Sequence, residues 1–88
     1  MKLFILRPIR KLDNDPWDPW YDKAFGFVIR ANDEEEARKI ADSNAGDENE
    51  RYITIKNNHP WLDEKYSTCN ELTTDGESEL IITDFRRA

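Results

Sequence analysis

Glycine is scarce in this chain. Gly26, Gly46 and Gly76 are the only three, and they stand far apart. A phosphate-cradling loop or a dinucleotide fingerprint needs clustered glycines so that backbone N–H groups can approach a pyrophosphate, so nucleotide chemistry of the usual folds is excluded. Cysteine and histidine occur once each, as Cys69 and His59. One thiol forbids an internal disulfide and fits a reducing compartment, and one Cys with one His cannot assemble the four ligands of a structural zinc site. Long apolar runs are missing too. The stretch Leu3-Phe4-Ile5-Leu6 ends at Arg7 and Pro8, short of the ~7 to 15 residues of a signal-peptide core, and nothing approaches the ~18 residues of a membrane span. The expectation is a soluble, cytoplasmic protein without a membrane partner. Positive charge is also in deficit: 13 basic against 19 acidic side chains give a net charge of -6, the reverse of the basic footprint that phosphate backbones require. Direct nucleic-acid binding is therefore not expected.

What is present suits one small domain spanning residues 1–88. A chain of this mass buries only about 64% of the surface that it exposes when unfolded, so its core must be thin. Charged residues reach 36%, well above the ~25% usual for globular chains. Ten aromatic rings supply the concentrated apolar area that disordered chains lack. The acidity is local: residues 31–50 hold two basic and eight acidic groups, whereas residues 1–30 hold six and four.

Residues 3–6 form a compact β-prone run, read as a buried strand, and residues 24–31 alternate Phe25, Phe27 and Ile29 with Gly26, Val28 and Arg30 as a second. A polar, Pro-rich loop separates them. Asn32 as N-cap with Glu35 three residues on, and negative charge from Asp33 to Glu36 at the dipole's positive end, predict a helix over 33–45. Its packing stripe is Ala37, Ile40 and Ala41, with Gly46 as a left-handed stop. Tyr52-Ile53-Thr54-Ile55 reads as a third strand and Leu80-Ile81-Ile82-Thr83 as a last one, with a short helical turn near 67–72 and a turn at Asp75-Gly76. The sum is an α+β fold: a three- to four-stranded, mainly antiparallel sheet packed by one main helix.

Four constellations invite a function. In Asp15-Pro16-Trp17-Asp18-Pro19-Trp20-Tyr21-Asp22 the prolines favour extended backbone, whose threefold repeat puts Trp17 and Trp20 on one edge. Such a comb would anchor a partner, since ordered tryptophans dominate interfaces; alternatively the loop folds back and its rings plug the thin core. The acidic stretch of Asp33, Glu34, Glu35 and Glu36, continued by Asp47 and Glu48, reads as a docking face or as simple helix capping. Asp47 and Glu48 lie past the helix C-terminus, where anions are disfavoured, and so call for a nearby cation. Alternate oxygens from Asp42 to Glu50 imitate a calcium loop, but its sixth and twelfth positions would be Asp47 and Ile53 instead of Gly and Glu. Cys69 and His59 would make a nucleophile and base only if the fold joined them, and Cys69 has no catalytic signature around it.

The words at residues 17–31, Glu35-Glu36-Ala37-Arg38, Ala45-Gly46-Asp47-Glu48, Trp61-Leu62-Asp63 and Ser67-Thr68-Cys69 resemble a group of small uncharacterised bacterial and phage-borne proteins. The resemblance spans most of the chain and implies no catalytic, cofactor or metal residue. The reading is thus a non-enzymatic interaction module without a cofactor. Its protein partner would be held by Trp17, Trp20 and Tyr21 and steered by Asp33, Glu34, Glu36, Asp47 and Glu48. The alternative is a phage or mobile-element inhibitor whose carboxylates mimic phosphates. An open edge strand, with residues 52–55 the first candidate, leaves self-association open.

Overall fold

The computed structural model describes residues 1–9, 17, 22–49 and 59–84. Three strands, β1 (Lys2–Pro8), β2 (Phe27–Ala31) and β3 (Ser67–Leu72), form an antiparallel sheet in the order β2-β1-β3, beside one helix, α1 (Glu34–Ser43). Short 3-10 turns occupy Asp47–Asn49 and Pro60–Leu62. The α+β class follows directly.

β1 is the middle strand because its apolar residues serve both faces. Phe4 and Leu6 point to the core, while Leu3 and Ile5, one pleat out of phase, point the other way. Phe4 pairs with Ile29 on one side and Glu71 on the other, and Leu6 with Phe27 and Cys69. Ile29 and Ala31 complete the inner face, against which α1 lays Ala37 and Ala41. Small residues let the helix backbone approach the sheet closely. Ile40 belongs to the expected stripe but sits at its edge, half-exposed; the third buried position of α1 is Arg38.

The helix starts one residue later than its sequence suggests. Asp33, not Asn32, is the N-cap: its extended backbone lets the carboxylate accept from the Glu36 N–H at 2.8 Å, and the Glu36 side chain accepts from the Asn32 N–H at 2.8 Å. A carboxylate gains more from the helix dipole than the neighbouring amide would, which shifts the reciprocal box by one. The helix also stops at Ser43 instead of 45. Ser43 Oγ and Asn44 Nδ2 donate to the Lys39 and Ile40 carbonyls, and the Asn44 N–H donates to Ala41, satisfying the last turn from within. Gly46 is not the left-handed stop. The only positive-φ glycine among the described residues is Gly76, at 137°, within the expected turn. Gly46 is needed for room: a Cβ there would run into the Asp22 carbonyl.

Two further expectations fail. Residues 67–72 are strand and not a helical turn, because β1 offers that segment a ladder from Pro8–Ser67 to Leu3–Leu72. Leu80, Ile81 and Ile82 belong to no described strand and stand exposed despite a stronger β composition. Residues 24–26 also precede the ladder, which begins at Phe27. The strand expected at 52–55 lies outside the described residues; among those described, β2 and β3 are the sheet's edges.

Candidate functional site

Each residue expected to meet a partner can be placed, except Trp20 and Tyr21, which lie outside the described residues. Trp17 is completely buried. Its indole N–H donates to the Tyr66 carbonyl at 3.1 Å and its ring meets Trp61 edge-on, with centroids 4.7 Å apart. Phe27 meets Trp61 on another side at 4.9 Å. Trp17 is therefore a core plug, not an anchor. Aliphatic volume on the inner face is too small to close the core without these rings.

Glu48 is corrected in the same way. It is fully buried, a poor place for a steering charge. Its carboxylate accepts from the Trp61 indole at 2.7 Å, from the Gly46 N–H at 2.9 Å, and from the Ala24 N–H, which is shared between both oxygens. Asp47 helps to clasp the loop before β2: its side chain accepts from the Asp22 N–H at 3.2 Å, and its own N–H donates to the Asp22 carbonyl at 2.5 Å. Among the described residues, backbone and indole N–H groups meet these two acids.

A second buried polar hub faces it. The Arg38 guanidinium donates to the Trp61 carbonyl, to Ser67 Oγ and to Glu34, each at 2.8 Å, and to the Ser67 carbonyl at 3.0 Å. Ser67 Oγ passes the chain on to the Pro60 carbonyl at 2.8 Å. Arg38 joins α1, the Pro60–Leu62 turn and β3. No periodic pattern marks a buried arginine, most of whose partners here are distant in sequence.

The remaining acids of α1 are also engaged. Asp33 and Glu36 cap the helix, Glu34 pairs with Arg38, Glu35 lies 3.5 Å from Lys39, and Asp42 lies 2.8 Å from His59 Nδ1 and accepts from Asn49. A phosphate mimic requires a ridge of disengaged carboxylates, and nothing in this arrangement favours one. Asp33→Ala should therefore act on stability, costing about 1 kcal/mol in a denaturant titration through loss of the cap. A neutral result would return Asp33 to the pool of docking charges.

Cys69 is half-buried on the inner side of β3, opposite Leu6. Burial pushes its thiol pKa up, Glu34 adds to the rise, and Arg38 works against it. Less thiolate is then present near neutral pH. Among the described residues no hydrogen bond joins it to His59, and no group of three or more His, Cys, Asp or Glu side chains converges as a metal site would. Alkylation by iodoacetamide should be several-fold slower than for the same cysteine in denaturant. Equal rates would contradict a shielded, protonated thiol.

The surface that sequence reading missed is the sheet's other face. Ile5, Arg7, Phe25 and Val28 line a groove of about 470 Å³, which Lys23, Ile82 and Asp84 help to wall. Val28 is 62% exposed, a high value for a valine within a strand. Arg30 stands exposed on the same pleat as Val28. Lys23 Nζ lies 5.1 Å from the Phe25 ring centroid. The signal was legible: Leu3 and Ile5 on one phase of β1, with Val28 and Arg30 on the matching phase of β2, already predict an outer face both apolar and basic. No family model matches this chain, and the curated proteins and solved structures offer no match either.

Proposed function

We propose that this protein is a non-enzymatic interaction module that binds a protein partner through the outer face of its sheet. The occupant is an extended peptide segment whose aliphatic side chains are bracketed at either end by Asp or Glu. The observation that carries this reading is the groove itself, where the apolar floor of Ile5, Phe25 and Val28 is bordered by Arg7 and Lys23. Strand periodicity would set alternate aliphatic residues on that floor, while acids near either end would reach the cations. The chain's overall charge of -6 does not oppose this locally. α1 and its acids lie across the sheet, and at physiological salt exposed charges are screened over about 8 Å. Enzymatic activity forms no part of the proposal.

Selection of a random peptide library on the immobilised protein tests it. Wild-type protein should enrich aliphatic segments bracketed by acids, Val28→Asp should enrich none, and Arg7→Glu should erase the preference for acids. Identical enrichment by wild type and Val28→Asp would place binding elsewhere on the molecule, and enrichment indifferent to acids would remove the stated chemistry.

A further inference from the structure

The groove is not empty of the chain's own residues. Ile82 and Asp84 form part of its wall, facing Ile5, Arg7, Phe25 and Val28. They belong to the segment Glu77-Ser78-Glu79-Leu80-Ile81-Ile82-Thr83-Asp84, in which aliphatic residues are bracketed by acids. That is the composition that the groove's own lining selects. Docking is incomplete: exposure is 79% at Leu80 and 66% at Ile81, then falls to 43% at Ile82, where the segment meets the sheet. In extended chain, residues two apart share a side, so Ile82 and Asp84 reach the groove together.

Resting on the docking surface proposed above, we infer that residues 77–84 are a tethered competitor for it, a strap that a partner segment of the same chemistry must displace. Three features make displacement inexpensive. The strap belongs to no described strand, so it has no ladder to break. Its two most exposed aliphatic residues contribute little burial. Only residues 73–81 separate β3 from Ile82, so the tether is short. A short flexible tether holds its ligand at an effective concentration in the millimolar range. If the free segment binds with a dissociation constant about ten-fold below that concentration, the face is open roughly one-tenth of the time. A partner's apparent affinity is then reduced about ten-fold. The strap would thereby suppress weak, nonspecific occupants while admitting strong ones.

The test uses the full chain and a fluorescein-labelled peptide with the sequence of residues 77–84, read by anisotropy. Ile82→Asp should release the strap without touching the core, since Ile82 is partly exposed and outside the inner cluster. The labelled peptide should bind Ile82→Asp about ten-fold more tightly than wild type, and Val28→Asp should not bind it. In wild-type protein, methyl NOEs should connect Ile82 with Ile5 or Val28; their absence overturns the inference without recourse to any variant. Equal affinity for wild type and Ile82→Asp, with loss in Val28→Asp, also overturns the strap while leaving the docking face standing. No binding to any form removes this segment as an occupant, and the library selection then decides the docking face separately. A concentration-dependent dimer of Ile82→Asp that Val28→Asp abolishes would assign the face to a second copy and overturn the strap.

Discussion

Trp17→Ala should unfold the protein or bring it close to unfolding. The ring is wholly buried, edge-on to Trp61, and its indole N–H is bound to the Tyr66 carbonyl. Truncating a buried tryptophan removes its transfer free energy and leaves a cavity, together costing about 3 to 5 kcal/mol. A domain of this size has about 4 to 13 kcal/mol in total. The Tyr66 carbonyl also loses its indole donor. A thermal melt of Trp17→Ala should therefore shift down by about 12 °C or more, or show no cooperative transition. A melt unchanged within a few degrees would make the ring a surface group after all. Trp17→Phe separates volume from hydrogen bonding: it refills most of the space without an N–H, and should recover more than half of the lost stability.

Glu48→Ala should be of similar size for a different reason. Here the loss is of an acceptor. Among the described residues, the Trp61 indole and the Ala24 and Gly46 backbone N–H groups converge on one buried carboxylate. Deleting it strands the buried Trp61 indole N–H and leaves two part-buried backbone N–H groups without this acceptor, and a stranded buried donor costs about 1 to 3 kcal/mol. Relaxation and water entry prevent simple addition, so we expect about 3 to 5 kcal/mol by urea titration. Glu48→Gln keeps the shape and one acceptor oxygen but turns an amide N–H toward other donors, and should fall between. A cost below about 1 kcal/mol for Glu48→Ala would mean that the carboxylate does not organise the core. Its neighbour Asp47 provides the contrast, since it is only partly buried and clasps Asp22 at the surface.

Both expectations reverse roles that the sequence suggested, and the reason is physical. Local signals were sound where local physics decides. The helix, its acidic first turn and both apolar strands lie where periodicity and capping put them, within one to three residues. What local pattern cannot reveal is which partner a polar side chain finds across the fold. Glu48 resembles any acid after a helix until Trp61 and Ala24 are seen to point at it. Arg38 resembles a solvated charge until Ser67 and Trp61 offer their carbonyls. Residues 67–72 read as a short helical turn and become a strand because β1 offers them a ladder. Leu80-Ile81-Ile82-Thr83 shows the converse: intrinsic β preference alone does not make a strand. The candidate surface was legible in the second phase of β1 and β2, where Leu3 and Ile5 face the same way as Val28 and Arg30.

Adjacent residues on β2 offer the most direct test of an interior closed by rings and polar hubs, with binding left to the opposite side of the sheet. Ile29 is buried and faces α1; Val28 faces out into the groove. Thermal melts and peptide capture should be measured on Val28→Asp and Ile29→Asp side by side. The account predicts that Val28→Asp melts within about 1 kcal/mol of wild type and captures no peptide, whereas Ile29→Asp loses about 3 kcal/mol or more. Equal destabilisation by the two substitutions, or full capture by a folded Val28→Asp, would contradict it.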